Sequence, residues 1–469
     1  MAVQPTQPQR SASPKQKATI RMYRLGVGDC FLLSFPRPGQ DDDFRILIDC
    51  GVHQSQPGRT QRMQETVEDL QKSLNGRKGK KFDVVVATHE HQDHLSGFPD
   101  IKKALGANCA AETWVAWTEK ADDPFAQSLK AKKDQALSAL YGAHMRMQLA
   151  GAAEQQEQLG SLLGFFGDDA GPKLKSFGEA LRSLSDQIKY LTPGDQPLEI
   201  VEDQVRAFVL GPPKNKEQLG VSDPSKKDTD QVYFGATSTL VEQVSPMLEP
   251  EPVGPFDDRF SLPLDGSKAL SFFKEHYWAD LNREDPDPAK RIDTVQAWRR
   301  IDADWMGTAT TLAMQLDQDT NNTSLVLAFE LGPKKTGGPV LLFAADAQVG
   351  NWLSWQTVKW SFEGREVTGP DLLRRTILYK VGHHASRNAT LNKLGLELMT
   401  ALELALVPTD SAMAEKVKWG TLPWTGLLVE LDKKTESGVV RTDQAFGSKT
   451  VRRAKVTETA LYYDVEIEV

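Results

Sequence analysis

The chain has 469 residues, of which 39% are hydrophobic and 26% charged, as in ordinary globular proteins. Its net charge of -8 argues against coating by nucleic acid over the whole surface, although a local basic groove is compatible with it. No apolar run approaches the ~18 residues of a membrane helix, no signal-peptide core is visible, and the three cysteines suggest no disulfide framework. We therefore expect a cytoplasmic protein that does not enter a membrane.

Strand patterns begin after a polar N-terminal segment. Residues 1–17 are rich in Gln, Pro, Ser and Lys and show no apolar periodicity, which predicts a disordered tail. Apolar runs at 20–25, 30–35 and 44–48 then predict three strands, with a glycine-containing turn between the first two. The third strand is expected to end at Asp49, so that an acidic side chain stands at its C-terminal end.

The segment 88–97, with the sequence THEHQDHLSG, follows a short apolar run that predicts a buried strand. Its histidines and acids are ligand types of zinc and similar divalent metals. In an extended chain, residues two apart project to the same side, so His89 and His91 can bind one metal ion. Asp93 and His94 would point elsewhere as the chain turns, and they could hold a second ion. The spacing differs from the zincin pattern, in which two histidines lie one helical turn apart.

A basic cluster precedes this predicted strand. Its members are Arg77, Lys78, Lys80 and Lys81. The cluster fits a solvated loop, which is the interpretation we favour. It also fits a rim that contacts phosphate groups beside the metal site.

The middle of the chain is predicted to contain two insertions. Residues 124–166 and 175–191 show helical spacing without strand signals, which predicts a helical insertion at about 120–190. A charged, loop-rich stretch at about 214–315 contains scattered prolines and aromatic residues. We expect it to form a second insertion that could cover the site.

Strand ends in the rest of the chain also carry side chains that can bind metal. Beyond the first insertion, strands are expected at 198–201, 205–210, 324–329, 340–343, 372–379, 404–407, 438–442 and 460–469, with helices at 391–400 and 424–431. Asp346 follows one of these strands, and His383 and His384 follow another. Ligands in layered α/β folds gather beyond the C-terminal ends of strands. The sequence therefore predicts one metal centre that is assembled from distant parts of the chain.

These motifs, in their order along the chain, resemble those of the metallo-β-lactamase fold superfamily. Three stretches resemble more closely the soluble hydrolase domain of the ComEC-type competence DNA-uptake protein, namely GVGDC at 26–30, NNTSLVL at 321–327 and KVGHH at 380–384. The resemblance implies an α/β fold, an αββα sandwich of two mixed sheets with helices outside. Residues 18–469 would form one hydrolase domain that carries both insertions.

The resemblance implies six ligands for two divalent metal ions, with zinc as the first expectation and manganese as the alternative. These ligands are His89, His91, Asp93, His94, Asp346 and His384. Asp346 would bridge the two ions. His89 and His91 would belong to the first ion, and the other three residues to the second.

The resemblance also assigns roles around the ions. Asp93 would orient the attacking hydroxide, and His383 would act at the substrate as a proton donor or phosphate contact. Asp49 would orient a ligand histidine through a hydrogen bond. Contacts to an anionic substrate are expected from Lys380, Ser386 and Asn322.

One position departs from the superfamily pattern. Many members have a further ligand histidine after a strand between the HxHxDH run and the bridging acid, and here Gly211 stands where that histidine is expected. The histidines in the interval are His144 and His276, and neither follows a strand. The first metal site is therefore expected to be weaker, empty, or completed by water and substrate.

The leading functional hypothesis is a phosphodiesterase or nuclease that uses a hydroxide activated by two metals. Its substrate would be a phosphodiester or another anion, with nucleic acid as one candidate. The same centre also serves acyl transfer, so hydrolysis of a carboxylic ester, lactone or amide is the alternative. A third hypothesis is an effector that depends on a protein partner bound through the insertions.

Overall fold

The computed structural model describes residues 17–77, 79, 81–149, 152–167, 172–221, 270–276, 304–417 and 419–468. The predicted tail, apart from Lys17, and most of the predicted loop-rich insertion lie outside these residues. Lys17 was predicted to belong to the tail but opens the first strand. Two members of the basic cluster, Lys78 and Lys80, also lie outside the described residues.

The described strands and helices alternate along much of the chain. The strands are β1 (Lys17–Tyr23), β2 (Cys30–Phe35), β3 (Phe44–Cys50), β4 (Phe82–Val86), β5 (Ala110–Ala116), β6 (Ile188–Leu191), β7 (Leu198–Val201), β8 (Val205–Gly211), β9 (Val326–Leu331), β10 (Val340–Phe343), β11 (Lys359–Phe362), β12 (Arg365–Thr368), β13 (Thr376–Lys380), β14 (Leu404–Val407), β15 (Val439–Arg441), β16 (Lys449–Val451), β17 (Ala454–Glu458) and β18 (Tyr462–Glu468). The helices are α1 (Arg59–Ser73), α2 (Gln92–Leu95), α3 (Phe98–Leu105), α4 (Pro124–Leu149), α5 (Ala153–Leu163), α6 (Pro172–Arg182), α7 (Lys216–Leu219), α8 (Ser271–His276), α9 (Asp304–Asn321), α10 (Val349–Trp355), α11 (Gly369–Arg374), α12 (Ser411–Lys416) and α13 (Thr425–Thr435). Short 3₁₀ turns lie at Trp117–Glu119, Gly164–Phe166, His383–Ala385 and Leu396–Leu398.

Two mixed sheets form the centre of the molecule. The first has the order β16-β17-β18-β1-β2-β3-β4-β5-β6, and β3 to β6 run parallel to one another. The second has the order β15-β14-β13-β10-β9-β8-β7, and β10, β13, β14 and β15 are parallel. A separate hairpin joins β11 to β12. The parallel segments bring several C-terminal strand ends to one edge, where ligands gather in α/β folds.

The two sheets face each other across an apolar core. Phe31 of the first sheet meets Phe343 of the second edge to face, with ring centroids 5.5 Å apart. Helices α1, α3 and α6 cover the outer face of the first sheet, while α10, α11 and α13 cover the outer face of the second. The order of layers is helix, sheet, sheet, helix, which agrees with the predicted αββα sandwich.

Helices from the predicted helical insertion form a small core together with α9, which begins within the predicted loop-rich insertion and ends beyond it. Helices α4, α5 and α9 pack together through buried residues such as Leu140, Leu159 and Leu316. Among the described helices, none combines the length and the apolar character that a bilayer span requires.

The sequence prediction was wrong about several stretches of secondary structure. The strand expected at 372–379 begins only at Thr376, because Gly369–Arg374 form α11, and residues 304–315 of the predicted loop-rich insertion belong to helix α9. Residues 175–191 do not form one helix, because α6 ends at Arg182 and packs on the first sheet, while β6 pairs in parallel with β5. Ile188 and Tyr190 give β6 the β-branched and aromatic character that strands favour. The helix expected at 391–400 is only a 3₁₀ turn. The short strands β11, β12, β16 and β17 were not predicted.

Candidate metal centre

The histidine-rich segment turns sharply after β4. His91 is extended and precedes the short helix α2, so Asp93 and His94 lie in a helical turn while His89 lies before it. This turn packs against the end of β3 at Gly51. A Cβ atom at Gly51 would lie 2.4 Å from the backbone nitrogen of His94, so any side chain there would displace the turn.

Four buried side chains converge from both sheets. Asp93, His94, Asp346 and His384 each offer a ligand atom, and these atoms all lie within 4.8 Å of one another. His384 Nε2 lies 3.0 Å from Asp93 Oδ2 and 3.6 Å from Asp346 Oδ2. His94 Nε2 lies 3.3 Å from Asp346 Oδ2. Two carboxylates and two imidazoles in this arrangement are a donor set that suits a divalent ion.

Hydrogen bonds at the far side of each ring direct the free nitrogen of these histidines inward. Asp49 Oδ2 lies 2.8 Å from Nδ1 of His94, and Pro408 O lies 2.9 Å from Nδ1 of His384. Both oxygens are acceptors, so each Nδ1 donates its proton to them, and Nε2 is the nitrogen that would bind a metal ion after losing its proton. Asp49 is itself fixed by the backbone N–H and the hydroxyl of Thr88. The two Nε2 atoms thereby face Asp93 and Asp346.

His89 and His91 form a second pair beside this cluster. His89 Nε2 lies 3.1 Å from His91 Nδ1, and His89 Nδ1 lies 3.1 Å from the Thr88 hydroxyl. Thr88 donates its own proton to Asp49, so it accepts from His89 Nδ1 and leaves Nε2 unprotonated. Burial lowers the pKa of His89 well below its usual value and the pKa of His91 to about 3, so both rings are neutral at pH 7. Neutral imidazole is the form that binds a metal.

Several polar atoms of the centre lack the partners that buried groups normally have. Among the described residues, His91 Nε2, Asp93 Oδ1 and His94 Nε2 are buried without a hydrogen-bond partner. Such orphaned atoms are rare in folded proteins and indicate an ion or a ligand. Burial opposes charge on His94, but the carboxylates of Asp346 and Asp93 raise its pKa well above the usual value. A cation at this point would satisfy the same carboxylates, so the residues fit a metal site.

Comparison with known families agrees with this geometry. The sequence model of the metallo-beta-lactamase superfamily matches residues 24–171. Residues 24–171 are therefore similar to the metallo-beta-lactamase superfamily. The match includes Asp49 and the whole histidine-rich segment, while Asp346 and His384 lie beyond it. No curated protein matches the chain.

This superfamily consists generally of metal-dependent hydrolases, and the buried Asp and His cluster can hold a divalent ion. The second sheet supplies Asp346 after β10 and His384 after β13, outside the matched stretch. The candidate centre therefore combines residues of the matched stretch with residues from the C-terminal half of the chain.

The paired histidines lie on a strained turn. His383, His384 and Ala385 have φ angles of 43°, 50° and 63°, in the left-handed region that costs about 1–2 kcal/mol for each non-glycine residue. The backbone N–H of His383 donates to Ala345 O at 3.1 Å and lies 3.2 Å from Asp346 Oδ1. Strain of this kind persists where the surrounding contacts fix it and is common at functional sites.

Lys380 does not face a substrate. Its side chain is 1% exposed, and its ammonium group forms ion pairs with Asp29 and, at 3.4 Å, with Asp346. It also donates to Ala345 O at 2.9 Å. Asp29 was part of the GVGDC motif in the sequence, but nothing there identified its partner. The geometry makes Lys380 a buried counter-ion that lies behind Asp346.

The other predicted substrate contacts have different surroundings. Asn322 is buried, donates to Val221 O at 3.0 Å and accepts from the backbone N–H of Gln348, so it braces the fold behind the site. Ser386 lies beside His383, with its hydroxyl 2.7 Å from Nδ1. Ser386 is therefore placed to orient His383, whereas the side chain of Asn322 bonds Val221 and Gln348.

Helix α9 contributes two side chains that the sequence analysis missed. Asp317 Oδ1 lies 3.7 Å from His91 Nε2, and Asn321 Nδ2 lies 3.2 Å from His383 Nε2. Burial and the charges of Asp93 and Asp346 raise the pKa of Asp317 well above its usual value. The sequence offered only one signal: Asp317 lies one helical turn before Asn321, the first residue of the NNTSLVL motif.

The described members of the basic cluster, Arg77 and Lys81, lie away from the centre. Arg77 is mostly buried and pairs with Asp83 at 2.7 Å and with Asp42 at 3.4 Å. Both residues precede β4, whereas His89 follows it, so the strand separates them from His89 by about 16 Å at 3.3 Å per residue. The interpretation as a phosphate-contacting rim beside the metal site is therefore wrong for Arg77.

A cavity of about 390 Å³ opens on the other side of the histidine-rich segment, beside Glu90. Its charged lining residues are Glu90, Glu119, Lys120, Lys130, Lys132, Lys133, Asp134, Glu179, Arg182 and Asp319. Burial and the neighbouring Glu90 raise the pKa of Glu119 to about 8. Five basic and five acidic residues line the cavity, and with Glu119 largely protonated at pH 7 only a small positive excess remains, which is a weak basis for selecting an anionic substrate.

Gly211 has no room for the histidine of the superfamily pattern. A Cβ atom there would lie 2.3 Å from Asn351 Oδ1 and 3.1 Å from Val326 Cγ2. The interval histidines do not replace it. His144 lies half-buried in α4, and His276 is exposed in α8.

Substitution of Gly211 by alanine is expected to destabilise the protein by about 1–3 kcal/mol, because the new methyl group overpacks a closed site. The free energy of unfolding, measured in urea, checks this. Gly307→Ala is the matched control, since a Cβ atom at that helical position meets nothing within 4 Å. The control should be neutral or slightly stabilising. Equal stability of Gly211→Ala and wild type would contradict the packing argument.

Proposed function

We propose that the protein is a hydrolase that cleaves phosphodiester bonds with the help of two divalent metal ions. The proposal is supported above all by the four buried side chains Asp93, His94, Asp346 and His384, whose ligand atoms lie within 4.8 Å of one another. When bound, two such ions supply an activated water and neutralise charge on a phosphoryl oxygen. The phosphodiester part rests on the resemblance of the GVGDC, NNTSLVL and KVGHH motifs to the ComEC-type hydrolase domain.

The residues of the chain would divide the remaining work. Asp93 and Asp346 hold negative charge in a water-excluded site, and Lys380 balances part of it from behind. Thr88 and Asp49 fix the ring nitrogens of the ligand histidines, so the donors are oriented before an ion arrives.

His383 is partly exposed, unlike the buried Asp93, His94, Asp346 and His384, so it would meet the substrate. Its Nδ1 is held by Ser386 and its Nε2 by Asn321, which orients the ring. Burial lowers the pKa of His383, so the ring is neutral at pH 7. Of the two roles implied by the resemblance, a neutral ring favours contact with a phosphoryl oxygen over proton donation.

A panel of substrates tests the proposal. The full chain, loaded with Zn²⁺ or Mn²⁺, is assayed on bis(p-nitrophenyl) phosphate, single- and double-stranded DNA, RNA and cyclic nucleotides. We expect turnover of at least one of these substrates, its loss with a chelator, and its return when metal is added. A metal-loaded protein that cleaves none of them would contradict the phosphodiester assignment.

Hydrolysis of a carboxylic ester, lactone or amide is the second candidate, and one observation favours it. His91 is flanked by aromatic residues, with Phe165 and Phe166 ring centroids at 5.5 and 4.9 Å, and Trp419 stacks on Phe165. An apolar wall of this kind suits a substrate with an apolar acyl group. Assays of p-nitrophenyl acetate and of simple lactones, run beside the phosphodiester panel, decide between the two by the ratio of kcat/KM.

A further inference from the structure

The ligand histidines share a pattern in which the ring nitrogen turned away from the centre has an acceptor. His94 has Asp49, His384 has the carbonyl of Pro408, and His89 has the hydroxyl of Thr88. His91 differs, because neither β4 nor the turn that follows it supplies an acceptor for its Nε2. The partner that its Nε2 approaches is Asp317, at 3.7 Å, and this residue belongs to the inserted helix α9.

The approach of Asp317 to His91 is built into the packing of α9. Leu312 and Leu316 anchor the helix against α4 and α5 in a buried cluster. One helical turn beyond Asp317, Asn321 donates to Asp317 Oδ2 at 3.2 Å and lies at the same distance from His383. One carboxylate oxygen is thus fixed by the helix, and the other is turned toward His91.

The two facing atoms have no other partner. Among the described residues, Asp317 Oδ1 and His91 Nε2 are both buried without a hydrogen bond. A buried carboxylate oxygen and a buried ring nitrogen that face each other are costly unless they form a bond. A movement of about 0.8 Å would bring them to the usual N–H···O distance, and hydrogen bonds in metal-free sites are often longer than in the loaded state.

We propose that Asp317 is a positioning residue of the first metal site. Asp317 accepts a hydrogen bond from Nε2–H of His91, so that Nδ1 of His91 stays unprotonated and its lone pair faces His89. This rests on the proposed function, because it presumes an ion between His89 and His91. The contribution is specific to this chain. Gly211 withholds a third protein nitrogen from the first site, so the site depends more strongly on the orientation and charge that Asp317 supplies.

The inference gives helix α9 a defined role at the metal centre. Helix α9 touches His91 through Asp317 and His383 through Asn321, so a segment outside the two sheets completes the centre. A histidine held by a carboxylate is a stronger ligand than one that is free to rotate, and loss of such a partner typically costs 10–100-fold in metal affinity.

Metal affinity is the readout that tests the inference. Zn²⁺ is titrated into the metal-free full chain in competition with a chromophoric chelator, for wild type, Asp317→Ala, Asp317→Asn and the same variants in a His384→Ala background that disables the second site. Asp317→Ala is expected to weaken the first site by roughly 10–100-fold and to leave the second unchanged. Asp317→Asn should recover part of the loss, because its amide oxygen still accepts a hydrogen bond.

The control is Asp319→Asn, which makes the same charge change on the same helix at a carboxylate bound by Gln315. It should leave both affinities unchanged, and thermal unfolding verifies that every variant is folded. Equal first-site affinity of Asp317→Ala and wild type would overturn the inference while leaving the hydrolase proposal intact. Asp317→Asn as weak as Asp317→Ala would overturn the positioning account in favour of direct ligation. A wild-type chain that binds no metal would overturn both proposals.

Discussion

Replacement of Asp346 by alanine is expected to lower kcat/KM by more than about 1,000-fold, which corresponds to the several kcal/mol of charge stabilisation that a metal centre supplies. Three nitrogen atoms of the site surround the carboxylate of Asp346. His94 Nε2 lies 3.3 Å away, His384 Nε2 3.6 Å away and Lys380 Nζ 3.4 Å away. Although burial opposes its ionisation, these three cationic or polar partners hold the pKa of Asp346 well below its usual range. It is therefore a permanent anion at the centre.

Two measurements check this expectation together. Metal content per chain, determined on dialysed protein, should fall in Asp346→Ala relative to wild type, and activity on the best substrate of the panel should fall with it. Glu366→Gln, an exposed carboxylate in the β11–β12 hairpin, is the control for loss of a negative charge and should change neither quantity. Full metal content together with full activity in Asp346→Ala would refute the role of this residue in the centre.

The strand-end residues of the candidate centre could be predicted from sequence because the information is local. A buried strand followed at once by a metal-binding side chain fixes both the position and the direction of that side chain. This holds for His89 after β4, for Asp346 after β10 and for His384 after β13. The layered fold then brings these ends together, since parallel neighbours present their C-terminal ends at the same edge. The αββα layering was expected from the resemblance to the metallo-β-lactamase fold superfamily, whereas the apolar periodicities predicted only the single strands and helices.

The roles of Lys380 and Asp317 and the conformation of β6 could not be predicted, because they depend on contacts between residues that are distant in sequence. Lys380 was predicted to contact an anionic substrate, because the sequence does not show that its ammonium group pairs with Asp29, which is distant in sequence. Asp317 lies in helix α9, which packs against α4 and α5. The sequence does not show that this packing brings Asp317 close to Nε2 of His91. The strand β6 was mistaken for helix because it is short and follows α6 closely, so its apolar residues were assigned to the helical stretch, whereas they pair with β5 at the edge of the first sheet.

Substitution of Lys380 by methionine is expected to lower the free energy of unfolding by about 3–5 kcal/mol at pH 7, because it leaves buried carboxylates without their cation. Lys380 is 1% exposed, and Asp29 and Asp346 are 2% and 1% exposed. Methionine has a similar length and no charge, so lost packing contributes little to the effect. Chemical denaturation of the metal-free protein measures the difference.

The pH dependence of this deficit has a definite sign. Burial opposes the charge of Lys380, but Asp29 and Asp346 more than compensate and raise its pKa above the ordinary 10.5. A raised lysine pKa stabilises the folded state fully below the unfolded value of 10.5, and this contribution is lost as the pH rises through the folded value. The wild-type ion pair should therefore contribute fully at neutral pH. The deficit of Lys380→Met should shrink in acid, where its uncompensated carboxylates take up protons.

A double variant separates the charge effect from a simple packing defect. Asp29→Asn in the Lys380→Met background removes one of the two stranded charges, so it should recover part of the lost stability, whereas Asp29→Asn alone should destabilise the wild type. This non-additivity is expected because the two side chains are in direct contact. If the two substitutions destabilise additively, Lys380 acts through packing, and the counter-ion role behind Asp346 must be abandoned. If they compensate, the buried lysine is the protein's own cation beneath the site where metal ions are proposed to bind.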